Sequence, residues 1–192
     1  MNDRILSAAT SGDTSELQNL VSSGCDLNIR DPFGWTPLMW AASMGFPEAA
    51  KLLAQNGAEL DTADQYGATA LMKASRRGHV DVVRALLEAG ASVNAEDEFG
   101  WTALMRAARR GYTDVVKILI DFGANIEEAD QYGATALIMA ASEGHVETVN
   151  ALLEKGANPQ AMDRNNWTAL MWAQSMRHSG VVDVLKDCNN KS

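Results

Sequence analysis

One phrase returns at a fixed interval along this chain: Gly34-Trp35-Thr36, Gly67-Ala68-Thr69, Gly100-Trp101-Thr102, Gly133-Ala134-Thr135 and Asn166-Trp167-Thr168. No insertion or deletion interrupts the period. A repeat this strict points away from one irregular core and toward supersecondary units that cannot bury their apolar faces alone and stack to do so. Each unit opens with an aspartate (Asp31, Asp64, Asp97, Asp130, Asp163), enters a short apolar helix such as Thr69-Ala70-Leu71-Met72, turns at a glycine and continues as a second helix such as Val82-Val83-Arg84-Ala85-Leu86-Leu87.

The local chemistry of the unit is readable. Thr36, Thr69, Thr102, Thr135 and Thr168 stand where a hydroxyl can accept the orphan N–H groups of a helix's first turn. Gly57, Gly90, Gly123 and Gly156 stand where the second helix ends and a left-handed residue is needed. Alanine pairs such as Ala41-Ala42 and Ala107-Ala108 let neighbouring first helices approach closely, and the Leu and Val residues of the second helices fill the shared core.

These residues resemble the ankyrin repeat, a β-turn and helix pair of about 33 residues with the signature T-P-L-H-x-A. The match is Thr36-Pro37-Leu38-Met39-Trp40-Ala41 in one unit, Thr-Ala-Leu-Met in three others, and Gly78-His79 and Gly144-His145 at the turn between helices. The resemblance implies an all-α ankyrin-repeat solenoid of helix-turn-helix units with β-turn, hairpin-like finger loops. The expectation is a single domain over 1-192: an N-terminal cap at 1-30, full repeats at 31-63, 64-96, 97-129 and 130-162, and a C-terminal cap at 163-192. The cap reading of the last unit rests on Arg177 in place of the turn glycine, Lys186 in place of a core leucine, and the polar run Asp187 to Ser192. The histidine of the family signature is Met39, Met72, Met105, Ile138 and Met171 here, so apolar packing is expected where the family makes a hydrogen bond. Gap-filling core methionines fit these positions better than a metal or redox role.

Partner information lies in what does not repeat. Ankyrin arrays are understood to bind proteins on a concave face of finger tips and first helices. In that register the finger tips carry Phe33, Tyr66, Phe99, Tyr132 and Asn165. Two residues on stand Trp35, Ala68, Trp101, Ala134 and Trp167, and an exposed first-helix position is expected to hold Trp40, Lys73, Arg106, Met139 and Trp172. Nine of the twelve aromatic residues fall on this face, with Phe46 and Tyr112 at the turn beside it. One third of the area of nine such rings is about 450–750 Å², at or above the largest apolar patch usual on a monomer.

The chain is acidic, with a formal charge of -9, yet Lys73, Arg76, Arg77, Arg106, Arg109 and Arg110 gather in the two middle units. The expected ligand is an extended or helical protein segment with acidic or phosphorylated groups at its centre and apolar anchors on either side. The partner-binding set is therefore Phe33, Trp35, Trp40, Tyr66, Lys73, Arg76, Arg77, Phe99, Trp101, Arg106, Arg109, Arg110, Tyr112, Tyr132, Trp167 and Trp172. Two structural alternatives stay open. The tryptophans alternate with alanines and can lie over them, and the basic strip can be a ladder of ion pairs with Glu96, Asp97, Glu98, Glu127 and Glu128.

Other classes find less footing. Nucleic-acid or anionic-lipid binding through the strip runs against the acidic surroundings, and an engineered scaffold without a native partner fits the unbroken period equally well. No phosphate loop, paired nucleophile or metal-ligand cluster is legible, and His79, His145 and His178 sit at equivalent turns rather than together. No catalysis, no cofactor and no metal are expected. Cys25 and Cys188 are too few for a disulfide scaffold, and neither a secretory signal nor a membrane span is readable. An intracellular, cytoplasmic monomer is expected, with the nucleus left open.

The run DQYGATAL occurs at Asp64 to Leu71 and again at Asp130 to Leu137. The underlying period is thus two units long, as duplication of a two-repeat block would leave it.

Overall fold

The computed structural model describes residues 2–189; Met1 and the tail residues Asn190, Lys191 and Ser192 lie outside the described residues. Twelve helices and no strand are found among them, joined by turns. Contacts divide the chain into a unit ending at Glu98 and a unit beginning at Phe99.

The first unit holds three helix pairs: α1 (Asn2–Ser11) with α2 (Thr14–Ser22), α3 (Pro37–Met44) with α4 (Pro47–Gln55), and α5 (Ala70–Arg77) with α6 (Val80–Glu88). First helices pack on first helices, α1 on α3 on α5, and second helices follow in parallel, α2 on α4 on α6. The second unit repeats this with α7 (Ala103–Arg109) and α8 (Thr113–Asp121), α9 (Ala136–Ser142) and α10 (Val146–Glu154), and α11 (Ala169–Ser175) and α12 (Ser179–Asn189). There α7, α9 and α11 stack in order, beside α8, α10 and α12.

The caps form as the sequence indicates. Each threonine hydroxyl accepts the N–H three residues on, at 3.3–3.4 Å. Gly57, Gly90, Gly123 and Gly156 are left-handed. The buried alanines Ala41, Ala42, Ala74, Ala107, Ala108, Ala140 and Ala141 are fully enclosed between first helices, where a larger side chain would push the stack apart. Met39, Met72, Met105 and Ile138 are buried as expected, but Met171 is 47% exposed. Among the described residues α11 has a first-helix neighbour on one side only, α9, so the same register position faces outward there.

The turn histidines have a packing role. The ring of His79 lies against Gly45, where an added Cβ would stand 2.7 Å from it, and the rings of His145 and His178 lie likewise against Gly111 and Gly144. Their Nε2 atoms donate to the carbonyls of Ser43, Arg109 and Ser142 in the preceding repeat, at 3.0–3.1 Å. Each histidine therefore fastens one helical pair to the one before it.

Candidate functional site

The finger loops are built around their aspartates. Asp64 Oδ1 accepts the N–H groups of Tyr66 and Ala68, both at 2.9 Å. Asp31, Asp130 and Asp163 hold the residues two and four positions on in the same way. An Asx turn of this kind fixes the finger backbone, and it leaves Oδ2 pointing toward the first helix. Trp40 Nε1 donates to Asp31 Oδ2, Lys73 Nζ to Asp64 Oδ2, and Trp172 Nε1 to Asp163 Oδ2. In each case the donor stands nine positions after the aspartate.

The first-helix position is therefore half-buried at Trp40, Lys73, Arg106 and Trp172, and buried at Met139. The exposure expected from the register is not observed, because Trp40, Lys73 and Trp172 turn inward to the finger carboxylate. The repeat at 130 departs from the rule. Its equivalent residue is Met139, which has no donor, and Asp130 Oδ2 is reached instead by the indole N–H of Trp101 from the preceding repeat, at 3.1 Å. Trp101 thus carries a structural bond.

Burial pushes the Asp64 carboxyl up, but the Lys73 ammonium and the N–H groups of Tyr66 and Ala68 outweigh it and hold the group below the usual carboxylate value. Burial likewise raises Asp163, and the N–H groups of Trp167, Trp172 and Asn165 overcome it. Both carboxylates are ionised near neutral pH.

Ring geometry separates the tryptophans. In the first unit Trp35 and Trp40 lie with centroids 4.5 Å apart, and Lys73 Nζ sits 4.0 Å over the Trp35 ring. Trp167 and Trp172 pair at 5.0 Å in the second unit. At Trp101 the neighbours over the ring are cations: the guanidinium groups of Arg106 and Arg109 lie at 5.7 and 5.2 Å from its centroid.

A cleft of about 390 Å³ opens beside Trp101 in the second unit. Ala134, Ile138 and Met139 form its apolar floor, Trp101, Tyr132 and Trp172 supply aromatic walls, and Arg109, Glu143, Asp130 and Asp163 bring charge to it. Arg109 Nε and Glu143 form an exposed ion pair at 3.1 Å.

A family model described as ankyrin repeats (three copies) matches residues 5–97 and 91–163. The chain is an ankyrin-repeat protein. Ankyrin repeats are in general protein–protein interaction modules without catalytic activity. No curated protein matches the chain. Among the described residues no helix is long and apolar enough to cross a membrane.

Within this ankyrin framework the sixteen candidate residues sort by exposure. Phe33, Tyr66, Phe99, Tyr112, Tyr132 and Trp167 are exposed large apolar side chains, and Arg76, Arg77, Arg109 and Arg110 are exposed at the ends of α5 and α7. Trp35, Trp40, Lys73, Trp101, Arg106 and Trp172 are half-buried. Two of the acids named for the basic strip have other work: Glu127 accepts the backbone N–H of Asn158 at 2.8 Å and Glu128 the side-chain amide of Asn125 at 2.7 Å. The acid that pairs with Arg109 is Glu143, to which sequence reasoning gives no role. The finger aspartates also go unrecognised as organisers from sequence, although their constant spacing to Trp40, Lys73 and Trp172 is there to be read.

Proposed function

We propose that this protein binds a segment of a partner protein through the finger tips and first-helix ends, with the partner's acidic or phosphorylated residues meeting exposed arginines and its apolar residues meeting exposed aromatics. The observation that carries the reading is the pairing of exposed arginines, Arg76, Arg77 and Arg110, with exposed finger aromatics, Phe33, Tyr66, Phe99 and Tyr132, on a chain of net charge -9. Aromatic residues and arginine are enriched at protein–protein interfaces relative to the rest of the surface. Lys73 is committed to Asp64, with only 11% of its side chain exposed, and Arg109 is engaged by Glu143 and Trp101. Arg76 and Arg77 in one unit and Arg110 in the other are exposed to solvent.

Selection from a random peptide library tests this directly. Enriched peptides should combine acidic with aromatic or large aliphatic residues, and replacing Arg76, Arg77 and Arg110 by glutamine should weaken them about tenfold and flatten the salt dependence. Equal binding by wild type and triple variant at low salt would remove the acidic part of the reading. Tighter binding of duplex DNA or anionic vesicles than of any selected peptide would replace it.

A further inference from the structure

The two-unit period places two versions of one arrangement in the same chain. In the first block Trp35, Asp64 and Lys73 form a cation seat: the lysine ammonium donates to Asp64 Oδ2 and stands 4.0 Å over the Trp35 ring. Two units on, the same positions hold Trp101, Asp130 and Met139. The aromatic face and the carboxylate are retained, the internal lysine is replaced by a thioether, and the cleft of about 390 Å³ opens at this place. The lining carries three carboxylates, Asp130, Glu143 and Asp163, and one cation, Arg109, with Arg106 as a second cation over the Trp101 ring. Negative charge is therefore in excess there.

We infer that this cleft receives a lysine side chain of the partner segment, which supplies from outside the ammonium that Lys73 supplies from inside in the first block. The four-carbon stem lies along Ala134, Ile138 and Met139, and the ammonium meets the Trp101 face and the carboxylates of Asp130 and Glu143. Each element has a physical basis. An ammonium over tryptophan is attracted to the ring's negative face, more strongly when water is excluded. Asp130 Oδ2 accepts one indole N–H, and a carboxylate oxygen has a second lone pair to offer. Benzene fits a cavity of about 150 Å³, so the larger volume here accommodates a lysine stem. The chain also shows that the seat attracts cations, since Arg106 and Arg109 lie 5.7 and 5.2 Å from the Trp101 centroid and Arg109 is paired with Glu143. Arg109 acts as an internal competitor. Its ion pair is half exposed, and such pairs exchange at little cost.

The inference rests on the interaction-module reading only in taking the ammonium from a protein. It reverses, at this one cleft, the sign of the side chain expected from the basic strip. The test uses three acetylated and amidated pentapeptides, alanine throughout except for a central lysine, norleucine or glutamate, titrated into the whole protein while the indole N–H resonances of Trp101 and Trp172 are followed by NMR. The lysine peptide should bind about tenfold more tightly than the norleucine peptide, and the glutamate peptide more weakly than either. Arg109→Gln should tighten the lysine peptide severalfold, and Met139→Lys should abolish its effect by filling the seat from within. Equal affinity for lysine and norleucine, a preference for glutamate, or loss of lysine binding in Arg109→Gln would overturn the assignment. Thermal melting establishes that Met139→Lys is folded, and the Arg109→Gln comparison decides the matter if it is not. Substituting Arg76, Arg77 and Arg110 should leave the lysine peptide unaffected, so failure of the acidic reading and failure of this one give different results.

Discussion

Replacing Lys73 by methionine should destabilise the first unit by about 3 kcal/mol, and the structure says why. Lys73 and Asp64 are an enclosed pair, with 11% and 2% of their side chains exposed and an N–O separation of 2.5 Å. Removing one partner of a buried pair typically costs about 3–5 kcal/mol, because the remaining charge has lost its compensation. Two features set the value at the lower end. Asp64 Oδ1 keeps the N–H groups of Tyr66 and Ala68, and methionine restores the apolar stem against the helix. The lost ammonium–indole contact adds to the cost, by about 0.5–2 kcal/mol in general. The repeat at 130 shows how a methionine is accommodated natively: Trp101 turns its N–H to Asp130. Trp35 is held instead against Trp40, at 4.5 Å, and keeps its place. Urea unfolding followed by far-UV circular dichroism gives the loss, and a double-mutant cycle with Asp64→Asn should return a coupling above about 1 kcal/mol. A loss below about 1 kcal/mol, or a coupling near zero, would show that the pair is screened or replaced and that Asp64 does not depend on Lys73. The pH dependence follows with its sign. Asp64 is depressed in the folded state, so its contribution is full above the unfolded carboxylate value of about 3.9 and disappears as pH falls through the lower folded value. The difference between wild type and Lys73→Met should therefore shrink in acid.

Three further outcomes are expected. Ser75 is fully buried, its hydroxyl makes no hydrogen bond among the described residues, and the same position holds Ala42, Ala108 and Ala141 in other repeats, so Ser75→Ala should stabilise by about 1 kcal/mol in urea unfolding. Gly45→Ala should cost several times more than Gly57→Ala: both are left-handed, but a Cβ on Gly45 would meet the His79 ring at 2.7 Å and one on Gly57 meets nothing within 4 Å. Similar losses for the two would separate histidine packing from the integrity of the stack. Arg177 occupies a left-handed conformation, φ 61°, at the turn where the other repeats have glycine, and Arg177→Gly should raise stability by up to about 1 kcal/mol. An unchanged midpoint would show that the last turn does not limit unfolding.

The period, the threonine caps and the left-handed glycines are legible because each depends on residues a few positions apart along the chain. What is not legible depends on where a side chain turns after its backbone is placed. Register identifies Trp40, Lys73, Arg106, Met139 and Trp172 as equivalent, and equivalence suggests a common exposed role. The finger carboxylate changes that outcome residue by residue, drawing in Trp40, Lys73 and Trp172 through their N–H groups and leaving methionine to form a floor. Sequence leaves Trp101 either structural or binding, and the geometry gives it a structural bond to Asp130 and places its ring in the cleft wall with Arg106 and Arg109 over it. Glu143 is hidden for a related reason: it stands one position beyond a full repeat from Arg109, so a register comparison never sets them opposite each other.

The run DQYGATAL recurs two repeats apart, and positions the same distance apart can be compared as alternative solutions to one local packing problem. Lys73 and Met139 are such a pair. In one block the lysine closes the space between Trp35 and Asp64 with a bond made inside the chain. In the other, methionine removes the ammonium while Trp101 secures the Asp130 carboxylate, so the finger keeps its three hydrogen bonds and the space beside it opens. The cost of losing an internal ion pair is thereby limited by the indole, and the charge left in the cleft is available to a ligand. Trp101→Phe separates these effects. It retains an aromatic face but removes the N–H, so it should cost about 1–3 kcal/mol of stability through the unsatisfied Asp130 oxygen, and it should keep lysine-peptide binding within a few-fold of wild type, because the weaker attraction of a phenyl face is offset by a carboxylate oxygen that lacks its internal donor. If Trp101→Phe abolished lysine binding while stability was preserved, the retained aromatic face and the freed Asp130 oxygen would not together seat an ammonium, and the cation seat would not exist.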